Sequence, residues 1–246
     1  MGLTGATMLF FRERTARQQA DEQAAIARAV NDFLQNDLLR QADSRAQADA
    51  RFIPNPNLTV REALERASQR IGDRFGNQPL TELAIRAAIS DALRGLGQTE
   101  QALPHLHRAV ELSQSKLGPE HPLTLKYLDQ LAVVYSDAGR QDLALPLFER
   151  GLALRTRKLG SNHADTLTTM NNLAWAYQGA GKREQAIQLA ERTLGLRKTA
   201  LGPAHPDTLD SMASLAIACQ FAGHADRALP LLEDTLKLRT ATLGAD

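Results

Sequence analysis

The chain has 246 residues, of which 43% are hydrophobic but only 4% are aromatic. Most of the apolar residues are Ala and Leu, which form helices readily, so the composition predicts a folded, all-α protein. With 29 basic against 28 acidic residues, the chain lacks the concentrated positive charge that phosphate binding requires, which excludes nucleic acid as a partner. The single cysteine, Cys219, cannot form an internal disulfide and therefore indicates no redox compartment.

The first segment, residues 1–11, reads MGLTGATMLFF and is apolar. It is about half as long as a membrane-spanning helix needs to be, and it lacks the basic start and cleavage site of a signal peptide. Two interpretations stay open: a frayed terminus, or the end of a truncated transmembrane segment that would anchor the chain upstream of residue 12.

A long N-terminal helix is predicted over residues 12–41, with a polar and alanine-rich first half that we expect to be solvated. Its second half carries an apolar stripe of Ile26, Val30, Phe33, Leu34 and Leu38. The N-terminal domain therefore covers residues 1–42, and residues 43–58, with two prolines and several asparagines, are predicted to be a linker.

A second helix is predicted over residues 59–75. Thr59 and Glu62 have the spacing of a capping box, in which each side chain bonds to the backbone of the other residue. An apolar face follows, formed by Val60, Leu64, Ala67, Ile71 and Phe75. We expect this helix to cap the domain that follows, which extends over residues 59–246.

That domain is built from an internal repeat of 42 residues. The phrase LGPAHPDTL, which begins at Leu201, occurs as LGPEHPLTL from Leu117 and as LGSNHADTL from Leu159, and the chain ends on LGAD. Equal spacing of glycines and alanines adds an earlier copy, so four repeats are predicted at about 77–116, 117–158, 159–200 and 201–242. Because the phrase restarts at the end, we expect that the parent protein continues and that the last repeat exposes an apolar strip, with members drawn from Met212, Leu215, Leu231 and Leu236.

Each repeat is predicted to be a helical hairpin. In the third repeat, apolar residues at helical spacing run from Leu167 to Tyr177 and stop at Gly181, and a second run extends from Ala186 to Gly202. Glycine ends helices because it adopts the left-handed conformation without strain. The second helices are expected to begin near residues 99–101, 141–142 and 225–226.

These residues resemble a known family. The pattern Leu173-Ala174-x-x-Tyr177-x-x-x-Gly181 followed by Ala186 resembles the tetratricopeptide repeat, and the 42-residue period with LGxxHPDTL and NNLA resembles the kinesin-light-chain type. The resemblance implies a right-handed superhelical solenoid of antiparallel helix hairpins from about residue 77 onward. Its departures are Leu93 and Cys219 in place of the tyrosine, and Gly151, Thr193 and Thr235 in place of a small alanine.

Residues 29–75 resemble, less specifically, the segment that follows the membrane helix in bacterial serine/threonine kinases with C-terminal tetratricopeptide repeats. This implies an alternative function, in which the chain is a regulatory or sensory extension of a membrane-anchored kinase. The chain itself lacks the glycine-rich loop, strand lysine, catalytic loop and metal-binding motif of a kinase, so no enzyme activity is predicted.

No cofactor or metal is predicted either. His121, His163 and His205 recur in phase, but zinc ligands lie about 2 Å from one ion, whereas equivalent positions of stacked helices are about 8 to 10 Å apart. We therefore expect each histidine to shape the loop that leads into the next helix. Cys219 occupies the position of Tyr135 and Tyr177 and is expected in the core.

The remaining hypothesis is a scaffold that binds a protein or peptide partner. Helical geometry directs Leu173, Ala174 and Tyr177 toward neighbouring helices. The resemblance implies a concave groove lined by the first helices and open to extended peptides, where a side-chain amide such as that of Asn172 can both donate and accept a hydrogen bond. The implied groove residues are Asp91, Arg94, Lys126, Asp129, Gln130, Val133, Ser136, Asn171, Asn172, Trp175, Gln178, Asp210, Ser214, Ile217, Gln220 and Phe221.

Two alternatives to this groove stay open. Asn171 and Asn172 could be solvated helix residues without a ligand, or the chain could be a structural module that self-associates through residues 12–41.

Overall fold

The computed structural model describes Arg17, Ala20, Asp21, residues 23–39, Asn55 and residues 57–243. These residues form helices and short turns, with no β-strand among them, which confirms the all-α prediction. The chain divides into two compact units, unit 1 (Met1–Lys116) and unit 2 (Leu117–Asp246). The hypotheses on residues 1–11 and on most of the linker lie outside the described residues. Within the described part, no helix is both long and apolar enough to cross a membrane.

The first continuous stretch of unit 1 that the structure describes is α1, residues 23–32, which continues as the π-helix Phe33–Leu38. The other helices of this unit are α2 (Val60–Ser68), α3 (Ile71–Phe75), α4 (Pro79–Gly95) and α5 (Thr99–Leu117).

The apolar stripe of the N-terminal helix is only partly buried. Phe33 is 2% exposed and its ring packs edge-on against Phe75, with 6.5 Å between ring centroids. Leu34 is exposed, so its assignment to the buried stripe is wrong. Neighbouring residues of a helix point in different directions, and the packed side of this helix is the side of Phe33.

The capping box at Thr59 is confirmed. The Glu62 backbone N–H donates to Thr59 Oγ1 over 3.2 Å, and the Thr59 N–H donates to Glu62 Oε2 over 2.8 Å. The Glu62 carboxylate accepts bonds from both the N–H and the hydroxyl of Thr59, and these two bonds lower the pKa of Glu62. The single helix predicted over residues 59–75 is wrong, because the chain turns after Ser68, whose hydroxyl donates to the Glu65 carbonyl.

That turn lets two short helices cover one side of α4. Leu64, Ala67, Ile71 and Phe75 share a buried cluster with apolar residues of α4, namely Ile85, Ile89 and Leu93. Val60 was predicted on the same face, but it is exposed because it lies in the first turn, ahead of this cluster.

Unit 2 contains three hairpins, and short turns of three or four residues join their helices. The first helices are α6 (Pro122–Asp137), α8 (Ala164–Gly179) and α10 (Pro206–Phe221), and the second helices are α7 (Gln141–Leu159), α9 (Arg183–Leu201) and α11 (Ala225–Leu243). Each helix packs on the next, and neighbouring first helices also contact one another. The second helices α5, α7 and α11 begin where the sequence predicts.

Glycine and histidine set the ends of these helices. Gly181 has a φ of +73°, which confirms a left-handed residue after the first helix, and Gly160 has a φ of +88° after α7. His121, His163 and His205 are the N-caps of the first helices, and each Nδ1 accepts the backbone N–H two residues later over 3.2 Å. The predicted loop-shaping role of these histidines is therefore confirmed. Among the described residues, no group of His, Cys, Asp or Glu has the arrangement of a metal site.

The apolar strip predicted for the last hairpin is exposed only in part. Leu236 is 67% exposed, but Met212 and Leu215 are buried and Leu231 is partly buried. The two residues of α10 pack against α9, because a first helix lies on the second helix that precedes it.

Candidate binding surface on the first helices

One position recurs with an apolar side chain on all three first helices of unit 2. Val133, Trp175 and Ile217 are 42 residues apart, one on each of α6, α8 and α10. Trp175 is 39% exposed, and the other two are half-buried. Because these helices adjoin, the three side chains form a partly exposed apolar row across them.

Polar residues flank the apolar row at positions three residues before and after it, which lie on the same side of a helix. On one side stand Gln130, Asn172 and Ser214, and on the other Ser136, Gln178 and Gln220. Four of these six side chains are amides. Asn172 and Gln178, on either side of Trp175, are half-buried.

Ser214 does not belong to the exposed surface, contrary to the prediction. It is 8% exposed, and its hydroxyl donates to the carbonyl of Asp210 in its own helix over 2.9 Å. Ser136 is similarly engaged, because its carbonyl accepts the side-chain amide of Gln141 over 3.1 Å and thereby fixes the turn between α6 and α7.

Asp129 is a packing residue rather than a free groove residue. Its carboxylate accepts Arg155 Nη1 over 2.9 Å and the Thr169 hydroxyl over 2.8 Å, which joins α6, α7 and α8. Burial raises the pKa of Asp129, and Arg155 and Thr169 offset part of this increase. The absence of a side chain at Gly151 leaves room for the pair, since a Cβ there would lie 3.0 Å from Asp129 Oδ1.

The equivalent position one repeat later is the neutral Asn171. Arg197, the equivalent of Arg155 in this repeat, donates instead to the Ser211 hydroxyl over 2.8 Å and to the Asp207 carbonyl over 2.7 Å. The side-chain oxygen of Asn171 is buried, and in the described part of the chain it accepts no hydrogen bond. A buried acceptor normally has a partner, and an internal water molecule is the donor that could reach this oxygen.

The second helices carry an arginine that the sequence analysis overlooked. Arg155, Arg197 and Arg239 are 42 residues apart, and each bonds to a first helix; Arg239 donates to Asp210 over 2.7 Å at an exposed site. The 42-residue spacing of these three arginines is the sequence signal that could have revealed this contact.

The other predicted groove residues lie near the ends of the first helices of unit 2 or in unit 1. Lys126 is exposed near the start of α6, and Phe221 is 62% exposed at the end of α10. Asp91 and Arg94 belong to α4 in unit 1, where they approach each other to 4.0 Å as a helical ion pair. Of the predicted residues of unit 2, the structure therefore places Val133, Trp175 and Ile217, with the amides beside them, on adjoining first helices.

The side of α8 opposite the apolar row is packed, as predicted. Leu173 and Ala174 are buried. On α10, Cys219 is fully buried at the position equivalent to Tyr177, and burial raises the pKa of its thiol. Tyr177 is half-buried, and its hydroxyl donates to Glu149 over 2.9 Å. Burial and this hydrogen bond raise the pKa of Tyr177 to about 12.

Family models described as tetratricopeptide repeat match residues 82–157, 166–207 and 208–246. Among solved structures, the chain is similar to a Podosopora anserina protein described as a kinesin light chain with nearly identical TPR-like repeats. That protein is 26% identical, with 87% of this chain and 97% of that chain covered and a TM-score of 0.66. No curated protein gives a significant match.

Two further structures are similar in fold alone. BtubC (BKLC) from P. vanneervenii is 17% identical, with 94% and 93% of the two chains covered and a TM-score of 0.63. MamA is 16% identical, with 89% and 97% covered and a TM-score of 0.54. The family models support a protein-interaction scaffold, and proteins of this family are typically non-catalytic. The link to a bacterial kinase and the self-association hypothesis stay predictions.

Proposed function

Because the chain belongs to the tetratricopeptide repeat family, we propose that it is an interaction scaffold that binds an extended peptide along the first helices of unit 2. The observation that carries this proposal is the apolar row of Val133, Trp175 and Ile217 between its flanking amides. The row offers contacts for side chains, and the amides offer hydrogen bonds for a peptide backbone.

The spacing of the row predicts the ligand pattern. Packed helices lie about 8 to 10 Å apart, and an extended strand rises about 3.3 Å per residue. A β-strand directs only every second side chain to one face, about 6.6 Å apart, which does not match this spacing. A polyproline II segment fits better, because it has three residues per turn and so presents every third side chain on one side, about 9.3 Å apart.

Charge contributes little to this recognition. The row and the amides beside it are uncharged, and the neighbouring Asp129 is already paired with Arg155. Asn172 and Gln178 are half-buried, and their side-chain amides can bind the backbone of many sequences, because an amide both donates and accepts hydrogen bonds. We therefore expect the affinity to depend weakly on salt, since screening acts mainly on exposed charges.

The test begins with selection of peptides from a random library on the intact chain. Binding is followed by the fluorescence anisotropy of a labelled peptide, because Trp175 is the only tryptophan and its own fluorescence is lost in the key variant. Trp175→Ala should weaken the selected peptide about 30-fold, which corresponds to about 2 kcal/mol for an aromatic hot spot. Leu201→Ala is the matched control, because Leu201 is also 39% exposed but lies at the end of α9.

Stability measurements separate binding from packing. Leu173→Ala should cost about 2 to 5 kcal/mol, because Leu173 is 2% exposed, and Trp175→Ala should cost clearly less. If selected peptides bind the folded Trp175→Ala and Asn172→Ala variants as tightly as the original chain, the proposed surface is wrong.

A further inference from the structure

Unit 1 contains a cleft at the N-terminal end of α4. Its volume is about 410 Å³, which is within the range of small-molecule sites, about 300 to 1,000 Å³. Ala25 and Ile26 of α1 form one side, residues 78–81 of α4 form another, and Lys116 borders it from the last turn of α5. We call this space the α4 cleft. It shares no residue with the apolar row, which belongs to unit 2.

The first turn of α4 lacks an acceptor that the first helices of unit 2 have. In α6, α8 and α10 the Nδ1 of an N-cap histidine accepts the backbone N–H two residues later. The N-cap of α4 is Gln78, whose side chain makes no such bond, and the first bond of this helix runs from the Glu82 N–H to the Gln78 carbonyl. The N–H groups of Leu80 and Thr81 therefore point out of the helix end, without an acceptor among the described residues.

The side chain of Thr81 is a second, independent sign of a ligand. Thr81 lines the cleft and is only 7% exposed, yet its hydroxyl forms no hydrogen bond with any residue that the structure describes. A buried hydroxyl normally has a partner, because removing it from water without one costs free energy. An acceptor bound in the cleft would be that partner.

Lys116 gives the cleft a positive charge. It is exposed, and it forms no ion pair or hydrogen bond with another described residue. The lysine 42 residues later, Lys158, instead donates to the Glu120 carbonyl over 2.8 Å. Glu82 follows Thr81 in sequence, but its carboxylate is already bound by two arginines, and no acidic residue is among the described residues that line the cleft.

We propose that the α4 cleft binds a small organic carboxylate with a short apolar chain. A carboxylate offers about four lone-pair sites, and four donors border the cleft: the Lys116 ammonium, the Thr81 hydroxyl, and the N–H groups of Leu80 and Thr81. The end of a helix that carries free N–H groups also favours an anion. One negative charge matches the one charge of Lys116, whereas a phosphate monoester carries nearly two. Ala25 and Ile26 contact the apolar chain.

The probe is octanoate, and isothermal titration calorimetry on the intact chain measures its affinity. Octanoate should bind saturably, whereas acetate, which lacks the apolar chain, and octanamide, which lacks the charge, should each bind about tenfold more weakly. Lys116→Gln should weaken octanoate about two- to fivefold, because an ion pair at an exposed lysine is partly screened. Lys158→Gln is the matched control, since it removes the same charge at the equivalent position of the next repeat, and it should leave the affinity unchanged.

Thr81→Val removes the hydroxyl and keeps the shape of the side chain, so it should weaken octanoate about fivefold to tenfold. Thr81→Ser keeps the hydroxyl and should bind nearly as tightly as the original chain. Thermal denaturation should show no loss of stability in Thr81→Val, because the hydroxyl has no partner in the free protein; a clear loss would reveal an internal partner and contradict the site.

The proposal is overturned if octanoate does not bind saturably, if octanamide binds as tightly as octanoate, or if Thr81→Val and Lys116→Gln both leave the affinity unchanged. Trp175→Ala should not alter octanoate binding, because Trp175 belongs to the apolar row. A loss of octanoate affinity in Trp175→Ala would move the site to unit 2 and likewise overturn the proposal. The peptide-binding function proposed above stands or falls separately, since it is measured with a different ligand.

Discussion

The buried pair of Arg155 and Asp129 makes a sharp prediction about the stability of unit 2. The two side chains are 6% and 13% exposed, and 2.9 Å separates the guanidinium from the carboxylate. Arg155→Met would leave the carboxylate buried, with only the Thr169 hydroxyl as a partner. Removing one member of a buried pair costs about 3 to 5 kcal/mol, a large part of the 5 to 15 kcal/mol that holds a typical domain folded.

The next repeat supplies an internal control. Arg197 occupies the equivalent position, but it donates to a hydroxyl and a backbone carbonyl, both of them neutral. Arg197→Met should therefore cost only about 1 to 3 kcal/mol, because it leaves no buried charge behind. The double variant Asp129→Asn/Arg155→Met should be more stable than Arg155→Met alone.

Urea titration followed by circular dichroism and by Trp175 fluorescence measures these differences, since Trp175 lies on α8 between the two arginine contacts. Lowering the pH toward the pKa of Asp129, which burial raises, should reduce the cost of Arg155→Met, because a protonated carboxyl needs no cation. Equal losses for the two arginine variants, or losses below about 0.5 kcal/mol for both, would show that solvent screens the pair and refute the argument.

Three smaller predictions concern other sites. Burial, with a further contribution from Arg86, lowers the pKa of His105 to about 4 from 6.5, so the folded state binds fewer protons than the unfolded state between these values. The free energy of unfolding should therefore fall by up to about 3 kcal/mol as the pH drops from 6.5 to 4. The stability of His105→Gln should not show this pH dependence, whereas the stability of the control His107→Gln, changed at an exposed histidine, should show it. Gly195→Ala should raise the free energy of unfolding, measured in urea, by about 0.5 to 1 kcal/mol, because Gly195 lies in the exposed middle of α9 with open space around the new Cβ. Gly160→Ala should lower it, because Gly160 has a φ of +88°. The buried Cys219 should react with a thiol reagent only as fast as the protein unfolds, and rapid labelling of the native chain would contradict its placement.

The features that the sequence predicted well depend on local chemistry. Thr59 and Glu62 cap a helix through bonds that span three residues, and His163 does so through a bond to the second residue after it. Gly181 ends α8 because its own φ is positive. Each of these roles is decided within about one turn of chain, so the residue type and its spacing are sufficient evidence.

The candidate surface was predictable only in outline. The family resemblance implied that both Trp175 and Asp129 line the groove, and Trp175 is indeed 39% exposed. The resemblance could not reveal that Arg155, 26 residues further along the chain, reaches Asp129. Ser214 was misplaced for a different reason, because its hydroxyl bonds to its own helix rather than facing outward.

The sequence by itself determined the repeat, its period and the helix that each apolar run forms, because a 42-residue phrase and a 3.6-residue period are properties of the chain alone. Only the tertiary structure decided which side chains remain available to a partner. Leu229 and Ile187 occupy the same position of the repeat and both are aliphatic, yet one is 60% exposed and the other 2%. Their difference comes from the first helix that covers α9 and has no counterpart on α11 in the described residues, and burial of that kind depends on neighbours in space rather than on residue type.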